Sequence, residues 1–418
     1  MISAQAAADL ILGLVEPLRA EVDSEDADLL AAGHRVLARE ITSSLDFPYW
    51  DNSAMDGYAV RYEDIAAASQ EHPAVLRLGE EIPAGTMPEQ IVQSGQAARI
   101  FTGSRMPSGA DTVVPQEQTQ RRGEEVLIFT TGALGDFVRY QGSYYRAGSA
   151  LLRAGTLIQA AELAVLATVQ CTQIPVFRRP EVVILSTGNE LVSPGDPLGP
   201  AQIVDSNQYA LAHLVTQAGA RVVSQQRVGD SAADLRAAIQ TALNQADLIL
   251  SSGGVSVGDY DLVEPILAEL GGEIHIRAVA IKPGKPLTVA TFPPQGMRRR
   301  SLLYFGLPGN PVSALVCFWR FVLPALRQLS GLSSPWHPPI VEAITHQDLQ
   351  GDPRRETYLW GKLSLVNGRY EFSAAAGSHS SANLINLAGT NGLAVLPLAQ
   401  TRLQAGQAVQ VLQVSSLL

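Results

Sequence analysis

Residues 181–191 read EVVILSTGNEL. The apolar run VVIL is too short for a helix, and Pro180 and Gly188 bound it. Such a run reads as a strand buried on both faces. The next hundred and forty residues repeat the pattern. Asp205 or Ser206 can cap a helix to about Gln217, and RVVSQQRV (221–228) is the next strand. Ser231 can cap the helix AADLRAAIQTALNQ, and DLILSS (247–252) is again a strand. A helix over 262–270, a strand EIHIRAVAI (273–281), a strand LLYFGL (302–307) and a helix over 311–329 close the unit. Alternation of this kind predicts a doubly wound α/β domain over 176–330.

Outward from that domain the pattern changes. A helix is expected over 3–20, capped by Ser3, with Ala7, Leu10, Ile11, Leu14, Val15 and Leu18 at helical spacing. A second helical piece is expected over 24–32. Short apolar runs such as AVLRL, ARIFT and EVLIFT, separated by Gly and Pro, predict a β-rich domain over 45–144. Helix returns over 151–171. GLSSPWHPP (331–339) is a Pro-rich linker, and 340–418 reads as a small β domain. The expected fold class is multidomain α/β and β: a central doubly wound α/β domain, an N-terminal helical-plus-β-rich region and a C-terminal small β domain. Residues 1–44 and 145–175 form an elongated helical and linker domain in this division.

A chain of 418 residues exceeds one hydrophobic core. Its net charge of −10 argues against a general nucleic-acid-binding surface. It leaves room for a small anionic substrate in a local basic pocket. Lysine occurs only at 282, 285 and 362, and two of the three stand in KPGKP (282–286). No run of 18 uncharged apolar residues and no signal-peptide pattern occur, so a cytoplasmic protein without membrane partners is expected. Cys171 and Cys317 lie in apolar surroundings and read as small hydrophobes. The seven histidines show no metal-ligand spacing, and His379 in GSHSSAN is left open.

In an open α/β sheet, ligands bind beyond the carboxyl ends of the strands. That rule selects TGNEL, GGVSVGDYD, KPGKP and LPGNPVSA. Gly253, Gly254, Ser256 and Gly258, with Pro308, Gly309, Asn310 and Pro311, let backbone N–H groups approach phosphate oxygens. Lys282 and Lys285 add positive charge. Glu190 and Asp261 have the wrong sign for a phosphate. They fit a Mg²⁺ ion held between carboxylate and phosphate. Each loop singly has a plain reading as a turn or a helix start. Four at neighbouring strand ends point to a nucleotide or phosphate ester with Mg²⁺.

Seven motifs occur in order: DNSAMDGYAV (51–60), ARIFTGSRMPSGADTVVPQE (98–117), STGNEL, SSGGVSVGDYD, KPGKP, GLPGNPVSA and AAGSHSSANL (375–384). The series resembles the MoeA and gephyrin E-domain family of molybdopterin molybdenumtransferases over nearly the whole chain. The resemblance implies insertion of molybdate into adenylylated molybdopterin with release of AMP. It also implies an elongated homodimer whose active cleft lies between subunits, with molybdopterin adenylyltransferase as a further partner. Carried over position by position, it assigns Asp56 and Thr102 to the site from across the dimer. Glu190, Asp261 and, more weakly, Asp230 become acidic cleft residues, with Glu190 and Asp261 able to hold the metal. Lys282 and Lys285 face the anion, Pro308 and Pro311 shape their loop, and Ser378 lies near the cleft, as does Arg354 or Arg355.

One segment departs from the family pattern. Where Gly-x-Asp-x-x-x-Gly is expected, residues 142–148 read GSYYRAG, with Tyr144 at the aspartate position. An unperturbed phenol has a pKa of about 10 and supplies no carboxylate near neutral pH. Tyr144 keeps one rival reading open, a paralogue that prefers tungstate or stores or scaffolds the cofactor; against the other, the smaller adenylyltransferase of the same pathway, stand the N-terminal β domain and the C-terminal domain.

Overall fold

The run at 181–191 is the second strand of a six-stranded sheet. In the computed structural model, which describes residues 1–254, 262–295 and 300–415, the sheet elements are β1 (Glu181–Thr187), α-helix Ser206–Gln217, β2 (Arg221–Val228), α-helix Ala232–Leu243, β3 (Leu248–Ser252), α-helix Val263–Glu269, β4 (Glu273–Ala278), β5 (Pro286–Phe292) and β6 (Leu302–Leu307). Their spatial order is β2-β1-β3-β6-β5-β4. Strands β2, β1, β3 and β6 are parallel, and β5 is antiparallel to both neighbours. Strand β4 therefore runs with β6, and its carboxyl end shares their edge.

Alternate residues fill two cores. Val182, Ile184, Leu248, Leu250, Leu303 and Phe305 pack with the helices Ala4–Leu14, Ser206–Gln217 and the run 311–329. Val183, Leu185, Ile249, Leu302 and Tyr304 pack with the other two helices on the opposite face. Burial on both faces explains the unbroken apolar strands. Truncating Leu250 to alanine would cost about 2–5 kcal/mol. Helix 311–329 is long and apolar enough to cross a membrane, but 78 % of it is buried, as a core helix requires.

The amino ends of the strands are closed by charge. Asp247, just before β3, accepts two hydrogen bonds from Arg178, at 2.7 and 2.9 Å, and one from Arg300 at 3.2 Å. Arg300 also pairs with Asp23, which accepts from Arg178 at 3.2 Å and from the Arg19 amide at 2.9 Å. Asp23, Asp247 and Arg300 are all buried. Burial opposes ionisation of Asp23, but Arg300, the Arg19 amide and Arg178 together hold its carboxyl below the ordinary value.

Strands Ile340–Thr345, Glu356–Val366, Arg369–Ala374, Gly392–Leu396 and Ala408–Gln413 close on themselves as a small barrel. The short strand Ile281–Lys282 pairs with Glu356–Thr357 and ties the barrel to the α/β sheet. These parts belong to one compact unit, 1–39, 154–159 and 173–418; residues 40–153 and 160–172 form the other. The second unit holds a six-stranded sheet ordered Thr112–Pro115, Gly57–Val60, Gln96–Ile100, Ala74–Ile82, Glu125–Ile128, Thr119–Arg122, plus helix Ala160–Thr168.

Four expectations fail. Residues 151–171 are not one helix: Ala150–Leu152 is a strand paired with Ile41–Thr42, Gly155 turns the chain at φ +80°, and the helix spans only Ala160–Thr168. The first helix stops at Leu14 rather than 20, because Pro17 disfavours helical backbone at Glu16. Residues 24–28 are a strand, not helix. They pair antiparallel with Gln173–Phe177 and bury Ala27 of their five residues, so a distant partner overrides local preference. Strand β5 was not foreseen; it begins at Pro286, where a proline needs no ladder donor.

Candidate active-site cleft

Helix Ser206–Gln217 leaves β1 for one face of the sheet, while the chain after β3 leaves for the other. The divergence opens a crevice at the carboxyl ends of β1 and β3. A cleft of about 880 Å³ lies there. Thr187, Gly188, Glu190, Asp230, Gly253, Gly254 and Pro308–Pro311 line it. Loops chosen from sequence after β1, β3 and β6 therefore meet as expected. Ser256, Gly258 and Asp261 lie outside the described residues.

The loops hold one another. Asp230 accepts from the Asn189 amide at 2.9 Å, and Asn189 Oδ1 accepts from the Asp230 amide at 3.2 Å. Gly253 has φ +90°, and a Cβ there would stand 2.4 Å from the Thr187 carbonyl oxygen. Only glycine allows that approach. The Glu190 carboxylate folds back over Gly188, whose own Cβ would stand 2.6 Å from it.

Asn207 is a residue that sequence reasoning missed. Its buried amide donates to Ser252 Oγ at 2.7 Å and to the Gly309 carbonyl at 2.8 Å. It thereby fixes the β3 loop to the β6 loop. Its signal was the Asp-Ser-Asn triplet, read only for helix capping. Asp205 is the cap, accepting from the Gln208 amide at 3.1 Å. Asp205 Oδ2 and Ser186 Oγ are buried in the cleft wall without hydrogen-bond partners among the described residues. Water or a ligand in the cleft would satisfy them.

Lys282 lies elsewhere. It lines a separate cavity of about 470 Å³ against the barrel, with Pro283, Gln347, Gly377 and His379. Its Nζ is 4.0 Å from Asp352, which Arg355 grips at 2.6 and 3.2 Å. The Arg355 bonds and the Arg354 amide lower the Asp352 carboxyl to about 2. Arg355, not Arg354, thus makes the side-chain pair. Lys285 is exposed at the start of β5, and its carbonyl accepts from the Val279 amide at 3.0 Å. Ser378 is exposed, its carbonyl held by Asn383 and Asn386. His379 packs on Trp360 at 4.4 Å and meets the Ala375 carbonyl at 3.0 Å; burial pushes its pKa down.

In the second unit, Asp56 Oδ1 accepts from both the amide and the hydroxyl of Thr102, each at 2.8 Å. These bonds hold its carboxyl below the ordinary range. Arg99, which sequence reasoning also missed, reaches the Gly57 carbonyl at 2.9 Å and Gln116 at 2.6 Å. The rest of DNSAMDG is bracing. Asp51 accepts from the Gln141 amide, and Ser53 Oγ bonds both ends of the turn at Met55. Tyr144 is exposed, and its ring lies 6.0 Å from that of Phe47. Asp46 holds that loop instead, accepting from the Ala147 amide at 2.8 Å and from Gln141 at 3.0 Å. Asp46 is thus the carboxylate that braces this loop.

Comparison with known proteins gives three consecutive family matches. Residues 2–169 match the MoeA N-terminal region (domain I and II), 183–328 the probable molybdopterin binding domain, and 342–414 the MoeA C-terminal region (domain IV). A molybdopterin molybdenumtransferase of Nostoc sp. is 55 % identical over 99 % of this chain and 94 % of its own. Molybdopterin molybdenumtransferase 2 of Mycobacterium tuberculosis is 36 % identical over 90 % and 91 %. The crystal structure of the molybdopterin biosynthesis MoeA protein from Pyrococcus horikoshii OT3 superposes with a TM-score of 0.82 at 26 % identity, covering 98 % of this chain and 99 % of that one.

Proposed function

The chain belongs to the MoeA family of molybdopterin molybdenumtransferases, transferases of molybdenum cofactor biosynthesis, and from that premise we propose that it inserts molybdate into adenylylated molybdopterin with release of AMP. The observation that carries this reading is the convergence of Glu190, Gly253, Gly254 and the 308–311 loop on one cleft at the sheet's switch point. Glycine loops and helix starts suit the phosphates. In the neighbouring cavity Lys282 supplies a positive charge for an oxyanion, with Asp348 also in the wall.

Among the described residues, no three His, Cys, Asp or Glu side chains converge as a metal cage. Mg²⁺ at this site would therefore take Glu190 and ligand oxygens, the coordination Mg²⁺ favours. Bound there, it would neutralise phosphate charge and bridge it to the carboxylate. The chain's own part is to hold and orient both anions. Two copies form the active dimer in this reading, and the Asp56–Thr102 pair serves the ligand held by the other copy. Its ionised carboxylate is fixed in place before any ligand arrives.

A second reading is altered oxyanion preference, which the exposed Tyr144 phenol favours over the usual carboxylate. Both are tested by incubating the purified protein with adenylylated molybdopterin, Mg²⁺ and either molybdate or tungstate. AMP release with molybdate in excess over tungstate supports the first. Release with tungstate only supports the second, and no release with either excludes both.

A further inference from the structure

A second cavity of about 450 Å³ lies at the amino end of the sheet, beside Pro180 and Gly219. Arg35, Arg179 and Arg327 line it. Arg35 is paired with Glu25 and donates to the Phe177 carbonyl at 2.8 Å, yet its buried Nε has no partner among the described residues. The neighbouring Arg178 is already committed to Asp247 and Asp23. Arg179 donates to the Gly219 carbonyl at 3.4 Å, and Arg327 to the Trp336 carbonyl at 2.9 Å. Neither meets a carboxylate among the described ion pairs. Both are partly buried, and burial disfavours each charge; on Arg179, Arg35 adds like-charge repulsion and Glu25 offsets part of it.

Partly buried guanidinium groups with no carboxylate in contact are costly unless a ligand matches them. Their planar forks suit phosphate oxygens. Val36, Leu157, Phe177 and Leu332 give the wall an apolar stretch, beside the polar side chains of His34, Thr216, Gln217 and Ser330. A cavity of this size with an apolar wall and a few convergent polar groups is a small-molecule site. We propose that Arg35, Arg179 and Arg327 form a binding site for an organic phosphate, separate from the cleft at the other end of the sheet. The phosphate sits between Arg179 and Arg327, and the organic part lies on the apolar wall.

The test is arginine modification of the full-length protein by p-hydroxyphenylglyoxal, mapped by peptide mass spectrometry. AMP, pyrophosphate and inorganic phosphate are the probes, and exposed Arg121 is the control. With a probe at about ten times its Kd, modification of Arg179 and Arg327 should slow about tenfold while Arg121 is unchanged. Protection by AMP at lower concentration than pyrophosphate supports an organic phosphate. Equal protection by all three probes overturns the role of the apolar wall. Unchanged rates at both arginines with every probe overturn the site. In Arg179→Gln, protection of Arg327 should need about tenfold more AMP. If that variant fails to fold, protection in the wild-type chain still decides.

Discussion

At the amino ends of β1, β3 and β6, Asp23, Arg178, Asp247 and Arg300 bond one another. At the carboxyl ends of β1 and β2 in the same sheet, Glu190 and Asp230 lie on loops that carry glycine, at the edge of the cleft. One sheet, with one pair of cores, ends in two ways. Where charges are matched inside the chain, they serve the fold. At the cleft, the buried Ser186 hydroxyl and one Asp205 oxygen have no partner among the described residues. A mutation at the first end should cost stability, and at the second end activity.

The largest effect is expected at Asp247. Replacing it with alanine leaves Arg178 and buried Arg300 short of counter-charge and should lower unfolding stability by about 3–5 kcal/mol in urea titration. A loss under about 1 kcal/mol would break the comparison from the structural side.

Glu190→Gln should do the opposite. Its stability should stay within about 0.5 kcal/mol of wild type, because the carboxylate is exposed. Molybdenum insertion should fall by about 100-fold or more.

Asn207→Ala joins the two behaviours, since the amide is both buried and part of the cleft. Removing its bonds to Ser252 and Gly309 should cost about 1–3 kcal/mol in stability. Activity should fall with it, through a raised KM as the loops lose their tie.

The smallest effect is a pH dependence. Asp23 has a folded pKa below its unfolded one, so its stabilisation is complete above the ordinary value of 3.8 and is lost as pH falls through the lowered one. Asp56 follows the same sign in the other unit. Thr102→Val removes one of its bonds and should raise its pKa toward 3.8 in a carboxyl-carbon NMR titration. A carboxyl that does not move would show the hydroxyl bond to be idle.

Much of this was legible in the sequence, for physical reasons. VVIL and LILSS announce strands buried on both faces, and the loops after them fall at one edge by the geometry of parallel sheets. Motifs carried the site residues at 190, 230, 253–254 and 308–311 to one cleft. Residues 24–28 were misread because their strand depends on Gln173–Phe177, far along the chain. Asn207 was missed because its work is tertiary: its two partners lie 45 and 102 residues away. The ion-paired end was invisible for the same reason, since Asp23 and Arg300 are 277 residues apart.

The central claim is that chemistry belongs to the carboxyl end of the sheet and stability to the amino end. AMP release per folded molecule, measured side by side for Glu190→Gln and Asp247→Ala at a temperature where both are folded by circular dichroism, tests it most directly. The account predicts near-wild-type release from Asp247→Ala and a loss of about 100-fold from Glu190→Gln. Equal loss in both, or full activity in Glu190→Gln, would contradict it.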